Sequence, residues 1–208
     1  MSATLIKIHP DNPAQKRVLE VVDCLRNGGV VIYPTDTVYG MGCDITNARA
    51  IDRVARIKGL QADKANFAFI CYDLSHISEF AKVDNATFKV MKKALPGPFT
   101  FILNASSNVP KLLNTRKKTV GIRVPNHNIP RQIVKELGNP IVTTSIRDDD
   151  EVVEYSTDPE LIFEKYRDLV DIVIDGGYGN NVASTVVNFS NGQFEVEREG
   201  LGDITQFV

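Results

Sequence analysis

The chain has 208 residues, 43% of them apolar, and no low-complexity tract, so we expect one domain over residues 1–208 with a substantial core. A net charge of -2 excludes a uniformly basic protein, and any site for a polyanion must therefore be local. Three cysteines without CxxC spacing predict reduced thiols in a cytoplasmic protein and no metal site. Because no signal-peptide pattern and no apolar run of bilayer length occur, we expect a soluble protein without a membrane partner.

Hydrophobic periodicity predicts that strands and helices alternate along the chain. The first half is predicted to contain strands at 5–8, 30–33 and 67–71, and helices at 12–26, at 47–58 and just after Asp73. The second half is predicted to contain helices at 84–94, at 128–137 and from Asp158, and strands at 99–103, 119–124, 140–144, 170–174, 184–189 and 194–197. This order indicates an α/β protein with a mixed twisted sheet.

The segment from residue 30 to 42 is the most informative part of the sequence. The apolar run 30–33 breaks at Pro34, and the hydroxyl and carboxylate groups of residues 35–37 follow at the predicted end of the strand. In open α/β sheets such an edge is where ligands usually bind, and Gly40 and Gly42 would let the backbone approach a ligand closely. The alternative is a tight turn in which Thr and Asp side chains satisfy local backbone groups.

Other polar residues occur where predicted strands begin or end. Thr119 and Arg123 are four residues apart in one strand and therefore lie on the same face. Hydroxyl or cationic side chains also occur at Thr143, Ser145, Ser184 and Arg198, and three cations surround the loop after the second helix, namely Arg56, Lys58 and Lys64. Hydroxyls and guanidinium groups suit phosphate and carboxylate oxygens. Taken singly, each of these residues is more often structural, and the acidic run 148–151 is more often solvated than metal-binding.

Several of these segments together resemble the YrdC/YciO family. The resemblance rests on 33–40, 96–100, 119–125, 184–187 and 198–200, in order and spacing, and it spans nearly the whole chain. It implies a single-domain, open twisted mixed α/β sheet with helices and a concave basic cavity. It also implies affinity for double-stranded RNA or tRNA, and threonylcarbamoyl-AMP synthase activity. That reaction consumes L-threonine, bicarbonate and ATP, releases pyrophosphate, and supplies the intermediate for the t6A modification of tRNA.

The resemblance also implies a role for individual residues. On the threonine side of the pocket it places Thr37, Arg123, Thr143 and Ser184. On the ATP and phosphate side it places Lys58, Lys64, Thr119, Ser145 and Arg198. Mg²⁺ would accompany the triphosphate. No protein nucleophile is required, because the carbamate itself attacks the α-phosphorus, and we therefore assign no catalytic residue.

The chain departs from the synthase pattern at two elements. The synthases carry a KxR element and a later SxN element, whereas this chain has Lys58-Gly59-Leu60 and Ser145-Ile146-Arg147. Leu60 cannot hold a phosphate, so either Arg56 and Lys58 replace the lost arginine or ATP binds differently. Arg147 adds a charge that would bind a polyanion or block the nucleotide. These departures are similar to the YciO branch of the family.

The departures leave two functional classes open. The first is an ATP-using enzyme that makes threonylcarbamoyl-AMP or a related acyl adenylate. The second is a double-stranded RNA- or tRNA-binding protein, associated with translation, that has weak or no synthase activity. The two classes differ in their dependence on salt, on ATP and on Mg²⁺.

Overall fold

The three-dimensional structure is a computed structural model that describes residues 2–62, 65, 67–113, 118–146 and 154–207. Within these residues, eleven strands form one sheet. The strands are β1 (Thr4–Lys7), β2 (Val31–Tyr33), β3 (Gly40–Asp44), β4 (Ala68–Ile70), β5 (Ala81–Lys82), β6 (Phe99–Ala105), β7 (Thr119–Arg123), β8 (Ile141–Ser145), β9 (Ile172–Asp175), β10 (Thr185–Asn188) and β11 (Glu195–Arg198).

The helices lie between these strands, and several of them begin at a side-chain cap. They are α1 (Gln15–Arg26), α2 (Ala48–Ile57), α3 (Leu74–Phe80), α4 (Asn85–Ala94), α5 (Asn128–Leu137), α6 (Glu154–Thr157) and α7 (Pro159–Tyr166), with short 3-10 helices at Lys111–Leu113 and Ile204–Phe207. The carboxylates of Asp73, Asp84 and Asp158 accept backbone N–H bonds at the starts of α3, α4 and α7. Gly138, with φ of 79°, ends α5 in the left-handed conformation that glycine adopts without steric cost.

The sheet is mixed. Its strand order is β1-β9-β2-β3-β8-β4-β7-β6-β10-β11, and β5 pairs with β6 outside this path. The pairs β1/β9, β2/β9, β4/β7 and β6/β10 are parallel, and the other neighbours are antiparallel. The predicted α/β class with a mixed twisted sheet is confirmed. No helix in the described part of the chain is long and apolar enough to cross a membrane.

Helices cover the two faces of the sheet unequally. On one face, called here the core face, alternate strand residues such as Val120 and Ile122 pack in a large cluster with residues of α2, α4 and α7. The opposite face carries Ala68, Gly121 and Thr143, and is called here the polar face. Helices α1 and α5 cover only part of the polar face, where they pack on residues such as Ile70 and Ile141. Elsewhere on the polar face, Ala68, Ile102 and Gly121 are partly exposed.

Two strands differ from the sequence prediction. Residues 40–44 were expected to continue the loop after Pro34, but they form β3, which is buried between β2 and β8. The pattern is hidden because glycine is depleted in strands, and β3 contains Gly40 and Gly42. The two-residue strand β5 was also missed, because so short a segment has no recognisable alternation. The three cysteines, Cys24, Cys43 and Cys71, are free thiols, as predicted.

Candidate anion-binding site

The floor of the site is a row of paired residues in the middle of the polar face. Thr143 lies opposite Ala68, Ala68 opposite Gly121, and Gly121 opposite Ile102. Directly paired residues in a sheet point to the same face, so these four lie side by side. Ala68 and Gly121 are both partly exposed and project almost no side chain. The sheet therefore presents a shallow floor bordered by polar residues.

Arg123 borders this floor at the end of β7, and only 8% of its surface is exposed. Its Nη2 donates to Thr37 Oγ1 at 2.9 Å and to Asp36 Oδ1 at 3.1 Å. The other carboxylate oxygen of Asp36 accepts from the backbone N–H of Asn126 at 2.9 Å. The Nε of Arg123 is buried and has no hydrogen-bond partner among the described residues. An acceptor brought by a small ligand or a water would satisfy it, since unpaired buried donors are costly.

The loop between β2 and β3 contains the tight turn that the sequence offered as an alternative, and it also places a hydroxyl against Arg123. Thr35 Oγ1 donates to the carbonyl of Val38 at 2.8 Å and accepts from the N–H of Thr37 at 3.0 Å, which are the bonds of a tight turn. Thr37, by contrast, directs its hydroxyl to Arg123. The turn formed by Thr35 therefore holds Thr37 and Asp36 against the guanidinium group.

Gly40 and Gly42 have a role within the sheet. Both lie inside β3, and each allows a close contact within the protein. A Cβ on Gly40 would lie 3.0 Å from a ring carbon of Tyr33 and 3.1 Å from Thr143 Oγ1, and one on Gly42 would lie 2.3 Å from the carbonyl oxygen of Val142. These glycines make room for neighbouring strands, and the expectation that they admit a ligand stays a prediction. Tyr33 donates its hydroxyl to Thr143 Oγ1, which leaves the Thr143 hydrogen available to a ligand.

Ser184 and Arg198 form a second polar group at the far side of the floor. Ser184 Oγ lies 2.8 Å from Thr100 Oγ1, on the neighbouring strand β6. Arg198 Nη2 donates to the Ser184 carbonyl at 2.8 Å and to its Oγ at 3.3 Å. Gly200 permits this arrangement, because a Cβ there would lie 2.3 Å from the carbonyl oxygen of Ala183. The predicted segments around Ser184 and Arg198 thus meet in space.

The two guanidinium groups are close enough to influence each other. Burial lowers the pKa of Arg123, and the positive charge of Arg198 lowers it further. The charges of Asp36 and of the Tyr33 hydroxyl, if ionised, act in the opposite direction. Burial raises the pKa of Tyr33 well above its usual range, so its hydroxyl stays neutral. Arg123 is buried and Arg198 is exposed, and the proximity of two positive charges favours a bound anion.

Thr119 and Ser145 lie at another end of the polar face. Thr119 precedes Gly121 by two residues on β7, and Ser145 follows Thr143 by two residues on β8. Because β7 and β8 run in opposite directions, both residues lie at the same end of the floor. Thr119 is partly buried and Ser145 is exposed. Arg198, which the resemblance assigned to the ATP and phosphate side together with them, lies instead beside Ser184. Arg198 is therefore in contact with Ser184, which the resemblance placed on the threonine side.

Two of the remaining predicted cations, Arg56 and Lys58, lie in the described part of the chain. Arg56 is exposed on α2, which packs against the core face, and its Nε lies 3.4 Å from the carbonyl of Asp52 in the same helix. Lys58 follows α2 and is partly buried at the start of the segment that leads to β4. Lys64, Arg147 and the acidic run 148–151 lie outside the described residues. Their predicted roles stay predictions, as does the concave basic cavity.

Three contacts of the site were not predicted. Asp36 pairs with Arg123, Tyr33 bonds to Thr143, and Thr100 bonds to Ser184. Asp36 and Tyr33 belong to the informative segment of the sequence, and Thr100 closes the run Pro96 to Thr100, so a signal for each was present. Their partners are 84 to 110 residues away, which only the sheet topology reveals. No group of three or more metal-ligating side chains occurs among the described residues.

Comparison with known proteins assigns the chain to a family. The family model Sua5_yciO_yrdC, described as telomere recombination, matches residues 23–200. Escherichia coli YciO, described as uncharacterized, is 40% identical over 203 residues, which cover 97% of each chain. Its crystal structure superposes with a TM-score of 0.92 at 39% identity, covering 99% of this chain and 100% of that one.

More distant relatives have names that refer to a reaction or a ligand. The threonylcarbamoyl-AMP synthase of Pseudoalteromonas translucida is 32% identical over 136 residues, which are 63% of this chain and 71% of that protein. Sua5 of P. abyssi, in complex with L-threonine, has the same fold, with a TM-score of 0.83 at 24% identity over 95% of this chain and 58% of that one. The chain belongs to the Sua5/YciO/YrdC family.

Proposed function

We propose that this protein makes threonylcarbamoyl-AMP, or a closely related acyl adenylate, from L-threonine, bicarbonate and ATP. The observation that carries the proposal is the convergence of Arg123 and Arg198 with the hydroxyls of Thr37 and Ser184 around one shallow floor. A synthase that is 32% identical and a Sua5 structure that holds L-threonine support the choice of substrate.

The site suits the joining of two anions. Threonine carbamate must approach the α-phosphate of ATP, and the two repel each other unless their charge is offset. Arg123 would bind the carboxylate or carbamate, because Thr37 and Asp36 hold its guanidinium group in place while Nε is left for another acceptor. Arg198, held by the Ser184 carbonyl, would offset charge on the phosphate. Fixed donors of this kind accelerate a reaction by positioning, without a protein nucleophile.

The triphosphate would lie toward Thr119 and Ser145, with Lys58 and Lys64 as further phosphate ligands. Hydroxyl and ammonium groups can each donate a hydrogen bond to a phosphate oxygen. The described residues offer no carboxylate cluster for Mg²⁺, which fits a metal that arrives bound to ATP. When bound, Mg²⁺ neutralises charge on the phosphate oxygens of the leaving pyrophosphate.

A second candidate is double-stranded RNA or tRNA binding with weak or no synthase activity. It is favoured by Leu60, which stands where the synthases have the arginine of KxR and is 48% exposed. Because a leucine side chain has no donor, it offers no contact to phosphate. Arg56 and Arg147 would then contribute to RNA binding. Because RNA binding releases counterions, it should weaken steeply with salt, whereas adenylate formation requires ATP and Mg²⁺.

The test is pyrophosphate release from ATP, Mg²⁺ and bicarbonate, with and without L-threonine. We expect threonine-dependent release that is lost in Arg123→Ala and in Arg198→Ala. Arg17→Ala removes an exposed arginine of α1, whose partner is Glu20, and serves as the matched control with full activity. Threonine-independent or absent release by the unaltered protein would overturn the proposal. Salt-sensitive binding of an RNA duplex in that case would support the second candidate.

A further inference from the structure

Lys82, the second residue of the short strand β5, lies on the polar face beside the candidate site. It is directly opposite Asn104 of β6, and Asn104 is directly opposite Thr119 of β7. Paired residues share a face, and Thr119 shares its face with Gly121 and Arg123 through the two-residue period of the strand. The sheet register therefore adds a lysine to the same surface.

The Lys82 side chain is well placed to take an anion. Lys82 and Asn104 are exposed and Thr119 is partly exposed. Lys82 makes no side-chain hydrogen bond or ion pair with another residue of the described ranges. Asp84, the nearest acidic residue in sequence, is engaged at the start of α4, where its carboxylate accepts from Thr87 N at 2.7 Å. Within the described ranges, therefore, no carboxylate forms an ion pair with the ammonium group of Lys82.

The charge of the surrounding sequence adds to this effect. Residues 81–123 contain nine Lys and Arg residues and one acidic residue, Asp84, although the whole chain has 24 basic and 26 acidic residues. A chain that is slightly acidic overall thus concentrates positive charge in the segment that forms β5, α4, β6 and β7. Lys89, Lys92 and Lys93 belong to α4 on the side of the core face, so only part of this charge raises the local concentration of anions at the polar face.

We propose that Lys82 and Thr119 form a subsite for the terminal phosphates of a nucleoside triphosphate. This inference rests on the proposed function and gives it a cation that the sequence pattern lacks, since Leu60 replaces the arginine of KxR. The backbones of Lys82 and Thr119 are two strand spacings apart, which is about 10 Å. A phosphate bound above Asn104, the residue that pairs with both, would therefore lie between the two side chains. The four residues from Thr119 to Arg123 span about 13 Å along β7, which leaves room for a phosphate chain between the subsite and the Arg123 group.

The experiment measures equilibrium binding by calorimetry, without threonine or bicarbonate. The probes are ATP, inorganic tripolyphosphate and AMP, and the variant is Lys82→Met, which keeps the stem and removes the charge. Lys89→Met is the matched control, because Lys89 is also exposed in the basic segment but lies on α4, which packs against the core face. Equal melting temperatures of the variants and the unaltered protein show that folding is intact.

We expect Lys82→Met to weaken ATP and tripolyphosphate about tenfold, the loss typical of one charge-assisted contact, with AMP unchanged. Lys89→Met should bind all three probes as the unaltered protein does. Equal affinities of the Lys82 and Lys89 variants for ATP and tripolyphosphate would overturn the subsite. It would also be overturned if the unaltered protein did not bind ATP and tripolyphosphate at millimolar concentration. If Lys82-dependent binding occurs without threonine-dependent pyrophosphate release, the subsite stands and the proposed reaction fails.

Discussion

The ion pair between Asp36 and Arg123 should be worth far more than a surface ion pair. The two side chains are only 11% and 10% exposed, with Arg123 Nη2 3.1 Å from Asp36 Oδ1. In Asp36→Ala, the guanidinium group keeps Thr37 as an acceptor but loses its counter-charge. Removing one partner of a buried pair costs about 3–5 kcal/mol, and because some exposure remains we expect the lower end, about 3 kcal/mol.

Urea unfolding at neutral pH measures this cost, and the pair Arg17–Glu20 provides the control. Its N–O distance is shorter, 2.8 Å, but its side chains are 51% and 42% exposed. Glu20→Ala should therefore lower the free energy of unfolding by no more than about 1 kcal/mol. With a slope of about 2–3 kcal/mol per molar urea, Asp36→Ala should lower the unfolding midpoint by about 1–1.5 M.

A double variant separates charge from packing. The double variant Asp36→Leu, Arg123→Met replaces the pair by apolar side chains. It should recover most of the stability that Asp36→Ala loses, because well-packed apolar residues often substitute for a buried ion pair without cost. If Asp36→Ala costs no more than Glu20→Ala, Arg123 is solvated in the folded protein. The argument that burial makes it a strong anion ligand would then be refuted.

Three further predictions test the surroundings of the site. Gly40→Ala places a Cβ 3.1 Å from Thr143 Oγ1, and we expect a loss of about 1–3 kcal/mol in urea unfolding; an unchanged midpoint would contradict the tight packing. Burial lowers the pKa of His127, so the unfolded chain binds its proton more readily. The free energy of unfolding should therefore fall as the pH drops below about 6.5. The fall should be smaller in His127→Asn, a variant that can still cap α5. Equal pH profiles of the two proteins would contradict this. Burial raises the pKa of Cys43 to about 12 and that of Cys24 to about 11, so neither thiol should react with iodoacetamide at pH 8 in the folded protein. Fast labelling, measured by mass spectrometry, would show that one is exposed as thiolate.

Elements with a strong periodic pattern were predicted well from the sequence. Helix α1 buries Val18, Val21, Val22 and Leu25 on one face, and the structure places it at Gln15–Arg26 within the predicted range 12–26. Strand β3 was missed because its residues form a strand only through pairing with β2 and β8, which the sequence does not display. Local patterns therefore predict elements that have their own amphipathic signal, and they miss elements that depend on neighbours.

Candidate residues were predicted in part. Thr37 and Arg123 are in contact, and so are Ser184 and Arg198, although the members of each pair were proposed from separate segments of the chain. What the sequence could not reveal is the order of strands, which makes β4 and β6 the neighbours of β7. That order brings Ala68 and Gly121 together as the floor and brings Lys82 to the same face. The functional roles of all these residues stay predictions.

The core face fixes the positions of the polar residues on β7. Val120 and Ile122 are buried at 4% and 0% exposure, and they alternate with Thr119, Gly121 and Arg123. A shift of β7 by one residue would bring the arginine into the apolar core and the two apolar side chains onto the polar face, at the cost of an uncompensated buried charge. The packing of the core face thus selects a single register. That register brings Arg123 into contact with Thr37, and it places Thr119 on the same face as Lys82. Stability of the fold and geometry of the site are therefore determined by the same alternation of residues.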